Sequence, residues 1–511
     1  MNLYVRIDAV AAARGALDCW VVPGRHSWSF DDLRDGAARY DSALRSLGAL
    51  PGDRVLVQVE KSPEALLLYL GCLRAGAVYV PHNTAYTAAE VQYFANDAQP
   101  RIIVCDPARE PQMQAVSATL PANKLVTLDS HGGGTLANRA GTAGTGSPVV
   151  PRATDDLAAI LYTSGTTGRS KGAMLSHQNL TSNADTLLRL WNFSTADALL
   201  HALPIYHVHG LFVATHCALL SGATTILLPK LDMPQVLSAL QRATVLMGVP
   251  TYYTRLLAEP NFNRRLLPNM RVFICGSAPL LPDTFQEFEQ RTGHLILERY
   301  GMTEAGMITS NPYAGDRVAG TVGFALPGVQ LRVADDNGLE LPRGSAGVLE
   351  VRGPNVFGGY WRNPDKTASE FRAEGWFITG DIAVLDAESR VSIVGRAKDL
   401  IISGGFNVYP KEIELEIDSL PGVLESAVIG AAHADLGEAV IAVVACAPGH
   451  SLTERSILDA LNGRLAGFKQ PKRVFFVDDL PRNAMGKVQK AHLRETYRNM
   501  LRRQSFVSEH E

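Results

Sequence analysis

The sequence predicts an α/β fold made of more than one folding unit, on three observations. The chain has 511 residues, which is room for two or more sizeable cores. Short aliphatic runs alternate with helix-length amphipathic segments, the pattern of βαβ units and parallel sheets. That pattern changes twice, near residue 327 and again near residue 395. In order, 54–59 (RVLVQV) reads as a strand and Pro63 to Arg74 as a helix with apolar positions on one face. The runs 101–105, 224–228 and 271–275 repeat the strand signal, each separated from the next by helix-sized stretches. Residues 131–147 are rich in Gly, Thr and Ala and read as a mobile surface loop. From about Pro327 the strands shorten and turn residues multiply, as in 347–351 (GVLEV), which predicts a β-rich subdomain. Beyond 395–399 (GRAKD), 411–420 and 456–465 read as helices, and 426–429 and 440–445 as strands. This gives a small α+β module of domain size. The expected division is therefore 1–395 and 396–511.

Composition excludes several classes of function. Hydrophobic residues make up 46% and charged residues 19%, which rules out a disordered chain. With 48 Lys+Arg against 51 Asp+Glu the net charge is −3, so no global positive field points to nucleic acid or an anionic membrane. The six cysteines contain no CxxC pair and lie in apolar surroundings, as expected for reduced thiols in a cytoplasmic protein. The first twenty residues carry Arg6, Asp8, Arg14 and Asp18 and lack the apolar core of a secretory signal. The most apolar stretch, 211–228, is broken by His216, Ser221 and Gly222 and makes a poor membrane span. A soluble, cytoplasmic location is the expectation.

The most informative segment is 163–172, TSGTTGRSKG, which follows the apolar run 157–162. Gly165, Gly168 and Gly172 permit tight backbone geometry, Thr163, Ser164, Thr166 and Thr167 supply hydroxyls, and Lys171 adds a point charge. Such a loop can enclose a polyphosphate. Arg169 and Ser170 precede the lysine, so the spacing is not that of a Walker loop. The chain contains no G-x-S-x-G elbow and no H-E-x-x-H or close Cys/His cluster, which weighs against a serine hydrolase and a protein-ligated zinc.

This segment resembles the signature loop of the acyl-adenylate-forming superfamily, which includes acyl-CoA synthetases, luciferases and peptide-synthetase adenylation domains. Further motifs follow in that family's order. They are 276–279 (GSAP), 300–304 (YGMTE), 379–381 (TGD), 395–399 (GRAKD) and 481–487 (PRNAMGK). The resemblance spans nearly the whole chain. It implies a large N-terminal domain of two stacked, mostly parallel sheets with helices, and a small C-terminal domain on a hinge. It also implies ATP, Mg²⁺ and coenzyme A, and a reaction in which a carboxylate attacks the α-phosphate before a thiol attacks the acyl-adenylate. Two anions must approach each other in the first step, so such a site needs cations and oriented donors more than a base.

The resemblance assigns roles residue by residue. Thr163, Ser164, Gly165, Thr166, Thr167, Gly168 and Lys171 would hold the β- and γ-phosphates, and Glu304 would bind Mg²⁺. Thr303 would contact the α-phosphate. Gly276, Ser277, Ala278, Pro279, Glu298 and Gly301 would line the adenine side, where Tyr300 would stack on the base. Asp381 would accept from the ribose hydroxyls, supported by Arg396. Lys487 would bridge carboxylate and α-phosphate. Lys398 occupies the hinge position, and the small domain would rotate there to exchange Lys487 for the thiol. Gly404, Gly405 and Phe406 would help line a pantetheine tunnel. Many relatives carry a second lysine four residues after the hinge lysine; here Ile402 stands there. Taken singly, Glu304 also fits a helix-start acid, Asp381 a turn residue and Lys487 a solvated surface charge.

Residues 205–210 (IYHVHG) match the family motif that gates the acyl pocket, with His207 as the candidate. In 248–255 (GVPTYYTR), Arg255 could form a forked pair with a second carboxylate. With that arginine the chain is most similar to the malonyl-CoA synthetases, and Ser277 and Met302 would border the same pocket, with methylmalonate a further candidate acid. Alternatives are a medium-chain or aryl-CoA ligase, an adenylation module loading a carrier protein, and a silent adenylate-binding sensor. The sequence ends at Glu511 without a carrier domain, which favours free CoA as the expected thiol. The expected partners are thus a small carboxylate and CoA, with no nucleic acid and no stable membrane insertion.

Overall fold

The structure is a computed structural model and describes residues 1–121, 123–163, 170–403, 406–433, 436–483 and 486–498. Four sheets organise it. The first has the strand order Phe324–Ala325, Gly306–Ser310, Leu297–Met302, Val272–Cys275, Val245–Gly248, Ala198–His201, Thr224–Leu227, Asp18–Val21 and Trp28–Ser29. Its centre is parallel and its two ends are antiparallel. The second runs Lys124–Thr127, Ile102–Cys105, Arg54–Gln58, Val78–Pro81, Leu157–Thr163 and Lys171–Ser176, parallel except for its last hairpin. One core joins helices and strands of both sheets.

Local chemistry explains these elements. The strands are short and apolar on both faces, as in Ile102–Cys105 and Val272–Cys275, which suits sheets covered by helices on either side. Helix Pro63–Ala75 starts with Ser62 capping the Ala65 amide and Pro63 in the first turn. It stops at Gly76, whose φ of 70° is left-handed backbone that glycine adopts without strain. Almost every side chain between is buried, so this helix lies inside the core.

The third sheet is an antiparallel meander, Gln330–Ala334, Ala346–Arg352, Phe377–Leu385 and Val391–Arg396. The fourth pairs Phe406–Val408, Ile401–Ser403, Gly437–Cys446 and Val423–His433 antiparallel, with Arg473–Val477 added in parallel. It has its own core around Val428, Val440, Ile413 and Ile457. The molecule is thus a mixed α/β protein with a large N-terminal domain and a smaller C-terminal one. No described helix is long and apolar enough to cross a membrane.

One sequence expectation is corrected. Residues 131–147 are not a structureless loop, because Thr135–Thr142 forms a helix. Leu136 and Ala140, four apart, are buried, and the Thr135 hydroxyl accepts from the Thr127 amide. Two small anchors are enough to dock a helix whose composition reads as linker. Five of the six cysteines are buried, Cys446 is half-buried, and none is in a disulfide.

Candidate active site

The expected phosphate side is built on a hairpin. Thr163 ends one strand and Lys171 opens the next, and the two are register partners. The loop between them is therefore anchored at both ends; Ser164, Gly165, Thr166, Thr167 and Gly168 lie outside the described residues. The Thr163 hydroxyl lies 3.3 Å from Glu304 Oε1. Glu304 is buried, which pushes its carboxyl up. Lys171 Nζ sits 3.8 Å from Glu370 Oε1 and 5.3 Å from the centre of the Tyr360 ring. Burial lowers the pKa of Lys171, as does Lys366, while Glu370 and Glu304 oppose the shift.

Three members of this cluster were not anticipated from the sequence: Tyr360, Lys366 and Glu370. The Tyr360 hydroxyl donates to Glu370 Oε2 at 2.6 Å and lies 3.2 Å from Glu304 Oε1. Lys366 pairs with Glu370 at 2.5 Å, one turn along helix Pro364–Glu370. The signal available was the Asn-Pro helix start at Asn363–Pro364, two residues after the aromatic pair Tyr360–Trp361, which places a helix N-terminus near Tyr360.

On the expected nucleoside side, Asp381 and Arg396 are register partners on adjacent strands, with Arg396 Nε 2.6 Å from Asp381 Oδ1. The Tyr300 hydroxyl donates to the other oxygen, Oδ2. Asp381 is buried and receives both groups, so a tyrosine, an aspartate and an arginine converge as one unit. Gly276 to Pro279 form the turn after strand Val272–Cys275. Ser277 has a φ of 74°, costly for a residue with a Cβ and often found where backbone is shaped around a ligand. Glu298 supports this turn from below, its Oε1 accepting from the Leu280 amide. Burial pushes the Glu298 carboxyl up to about 8, against the opposing pull of Leu280 N–H, Lys411 and Arg299. Gly301 and Thr303 follow at the end of strand Leu297–Met302 and are half-buried.

Lys487 comes to this unit from the C-terminal domain. Its ammonium lies within electrostatic reach of Asp381, Arg396, Lys398 and Asp399, and burial with the two neighbouring cations takes it down to about 8. Lys487 is also exposed along one side, where water tempers the effect of burial. The neighbouring Gly486 packs against helix Pro250–Ala258: a Cβ there would sit 3.3 Å from Thr251 Oγ1.

That helix also carries Arg255, which is exposed and has no ion pair among the described residues. It lies near enough to Tyr252 to pull that phenol down against burial, and Tyr252 in turn donates to the Ala202 carbonyl at 3.0 Å. His207 is half-buried beside Tyr206, and burial takes it down to about 4, so it is a neutral imidazole. Ser277 Oγ lies 3.3 Å from Nδ1 of His209, a buried residue not singled out from the sequence. Met302 ends its strand half-buried. Lys398 lies exposed in a 3-10 turn, Ala397–Asp399, whose Asp399 pairs with Arg494. Phe406 is exposed and stacks on Phe468 with ring centres 4.6 Å apart; Gly404 and Gly405 lie outside the described residues.

A family model described as AMP-binding enzyme matches residues 8–361, and one described as AMP-binding enzyme C-terminal domain matches residues 412–487. The chain is 35% identical to a feruloyl-CoA synthase of Amycolatopsis, over 93% of this chain and 95% of that one. It is also 35% identical to the mitochondrial malonate–CoA ligase ACSF3 of Mus musculus, over 88% of this chain and 82% of the relative. Among solved structures, ATP-bound MatB from Rhodopseudomonas palustris superposes with a TM-score of 0.95 at 54% identity, covering 98% and 100% of the two chains. Apo MatB gives 0.85 at the same identity, covering 98% and 99%. The chain therefore belongs to the AMP-binding enzyme family as an acyl-CoA synthetase.

Proposed function

We propose that this protein joins malonate to coenzyme A at the expense of ATP, through a malonyl-adenylate, releasing AMP and pyrophosphate. The observation that carries the chemistry is the meeting of Lys487 with Asp381 and Arg396, across from Thr163, Glu304 and Lys171. In the first step a carboxylate oxygen bonds to the α-phosphorus and the bond to pyrophosphate breaks. Lys487 would balance charge as the two anions meet, and Thr303 would donate to an α-phosphate oxygen. Asp381, held by Tyr300 and Arg396, takes the ribose hydroxyls. Lys171, only loosely paired with Glu370, is available to the terminal phosphates. In the second step the thiol sulfur bonds to the acyl carbon and the bond to the AMP oxygen breaks.

Mg²⁺ fits this donor set in one way. Among the described residues no group of three or more His, Cys, Asp or Glu is placed to hold a metal. Glu304 is a single buried carboxylate with the Thr163 and Tyr360 hydroxyls beside it. Mg²⁺ commonly takes one carboxylate and completes its shell from phosphates and water, so Glu304 would hold it together with ATP. When bound it supplies charge neutralisation on the phosphates.

Two features support malonate. The ACSF3 relative is a malonate–CoA ligase. Arg255 has no ion-pair partner among the described residues and lies on the helix against which Gly486, beside Lys487, packs. A forked arginine suits a second carboxylate, which a monoacid would not offer. The feruloyl-CoA synthase relative supports the aryl alternative, so the experiment is AMP formation against a carboxylate panel, with and without CoA. Malonate should give strong CoA-dependent turnover, and acetate, octanoate and ferulate weak turnover. Arg255→Ala should reduce malonate preference by about tenfold while leaving the ATP KM near its original value. A panel led by ferulate would replace malonate with an aryl acid.

The reading also assigns the boundary at 395/396 a mechanical role. Lys398 sits in the exposed turn joining the third and fourth sheets, where rotation would withdraw Lys487 and bring Phe406 toward the reaction centre. The closer superposition on ATP-bound MatB than on apo MatB supports the present arrangement as the adenylating one.

A further inference from the structure

We propose that Lys366 is a second cation for the terminal phosphates beside Lys171, and that Glu370 competes with pyrophosphate for both lysines and so speeds its departure. The inference rests on the AMP-binding ligase reading and not on the identity of the acid. Residues 359–361 lie along strand Lys171–Ser176, with Ala173 bridged to Tyr360 and the Trp361 amide donating to the Gly172 carbonyl. That edge carries the following helix, Pro364–Glu370, to the Lys171 end of the hairpin. The helix is fixed at its start. The Asn363 side chain accepts from the Lys366 amide, and the Thr367 hydroxyl accepts from the Tyr360 amide at 2.9 Å. Lys366 and Tyr360 are therefore held in one turn.

The donors around Glu370 are arranged as they would be around a phosphate. One atom, Glu370 Oε1, lies 2.5 Å from Lys366 Nζ and 3.8 Å from Lys171 Nζ, while Oε2 accepts from Tyr360. An exposed pair four residues apart on a helix would involve only Lys366 and Glu370, and would contribute little. Here the carboxylate also reaches across to the hairpin lysine. The side chains of Lys171, Lys366 and Glu370 are only 10%, 25% and 19% exposed, so water screens them incompletely. Among the described residues Glu370 is the only carboxylate within ion-pair distance of either lysine. Two ammonium groups thus crowd one carboxylate, and burial and Lys366 both lower the pKa of Lys171. A further anion at this point would relieve the repulsion between the two lysines.

Phosphate groups carry more charge than a carboxylate and offer more acceptor oxygens, so ATP displaces Glu370 from the lysines. The displacement strands no hydroxyl. Tyr360 has one proton and two acceptors, Glu370 Oε2 at 2.6 Å and Glu304 Oε1 at 3.2 Å. Burial and both carboxylates raise its pKa, so it remains a donor and can turn to Glu304 when Glu370 leaves. Once the acid has bonded to the α-phosphorus, the same two cations hold the departing pyrophosphate. Glu370 returns to Lys366 on its own helix without any change of backbone. Its return occupies both lysines and repels the departing anion.

The test uses the full-length protein in carboxylate-dependent exchange of pyrophosphate into ATP, run with the acid that leads the panel above. Lys366→Met should raise the pyrophosphate KM about tenfold and the ATP KM about fivefold, while the acid KM moves less than about twofold. Lys366→Arg should recover most of the loss, since it keeps the charge. Glu370→Gln keeps the shape and removes the competing anion. Its pyrophosphate KM should fall about fivefold, and pyrophosphate should inhibit AMP formation at correspondingly lower concentration. The opposite signs separate this role from support of the fold, which would weaken pyrophosphate binding in both variants. An unchanged pyrophosphate KM in Lys366→Met, or an unchanged or raised one in Glu370→Gln, overturns the proposal. Folding is read separately as melting temperature. If Lys366→Met fails to fold, Lys366→Gln carries the same expectation and the same refutation. Wild-type protein that exchanges with no acid would instead sink the ligase reading, so the two failures are separable.

Discussion

Lys487 carries the clearest pH signature of any residue in the site. A lysine with a depressed pKa is charged below that value and neutral above it. Burial, with Arg396 and Lys398, brings Lys487 down to about 8, while Asp381 and Asp399 oppose the shift. If, as proposed, its charge is needed when carboxylate and α-phosphate meet, the adenylation rate should fall as pH rises through about 8. Pyrophosphate exchange driven by malonate measures that step alone. Lys487→Arg should move the falling limb to higher pH at a lower plateau, because guanidinium keeps its proton. A wild-type profile with no fall on the alkaline side would remove Lys487 from the role. His207 should contribute no limb near neutrality, since burial keeps it neutral down to about 4. At this scale the motif residues were legible because glycine, threonine and charge recur in a dense, ordered pattern. Tyr360, Lys366 and Glu370 were not. Each draws its meaning from a distant partner, and nothing in the spacing links Tyr360 to Glu304 or Glu370 to Lys171.

Among elements, the junction before helix Pro63–Ala75 bears on the proposed acyl side. Lys61 is 5% exposed, yet its Nζ reaches His201 Nδ1 at 2.8 Å, the His201 carbonyl at 2.7 Å and the Leu203 carbonyl at 2.9 Å. His201 Nε2 lies 3.0 Å from the Gly210 carbonyl, so donation from that nitrogen leaves Nδ1 free to accept from lysine. The lysine thus ties the end of Arg54–Gln58 in one sheet to the turn after Ala198–His201 in the other, the turn that leads to His207. Gly210 completes the arrangement, since a Cβ there would lie 2.1 Å from the Pro204 carbonyl oxygen. Lys61→Met would strand three buried acceptors, a loss on the order of 2 kcal/mol. The expected result is a carboxylate KM raised severalfold with the ATP KM unchanged, together with a lower melting temperature. Equal changes in both KM values would mean that the junction supports the whole site rather than the acyl side. The periodicity revealed the helix and both strands here, but not the tie, because a lysine at a helix start reads as a solvated cap. Helix Thr135–Thr142 escaped for a related reason. Its anchoring comes from Leu136 and Ala140, too few apolar residues to register against a Gly- and Thr-rich background.

For the whole molecule, the question is whether two reactions share one centre by moving one domain. Ala397–Asp399 is the largely exposed connection between the third and fourth sheets, where the chain could turn without disrupting either sheet. One contact it would break is that of Gly486, beside Lys487, against helix Pro250–Ala258. A Cβ at 486 would lie 3.9 Å from Thr251 Cβ, within the roughly 3.5–4.5 Å that a disulfide needs. The pair Thr251→Cys and Gly486→Cys should therefore close under mild oxidation. Gly486 has a φ of 72°, so cysteine there costs about 1 kcal/mol, tolerable beside the gain from closure. The native cysteines are poor competitors, because five of the six are buried. Oxidised protein should still exchange pyrophosphate into ATP in the presence of malonate, since Lys487 stays beside Asp381 and Arg396. It should release little thioester, because the thiol-side residues cannot replace the lysine. Reduction should restore thioester formation, and each single-cysteine variant should ignore the oxidant. If the verified crosslink leaves both half-reactions intact, the second step proceeds in the present arrangement and the hinge reading fails. If both are lost and neither returns on reduction, the substitutions have damaged the centre, and the Lys487 pH profile then becomes the measure of whether the lysine acts in adenylation.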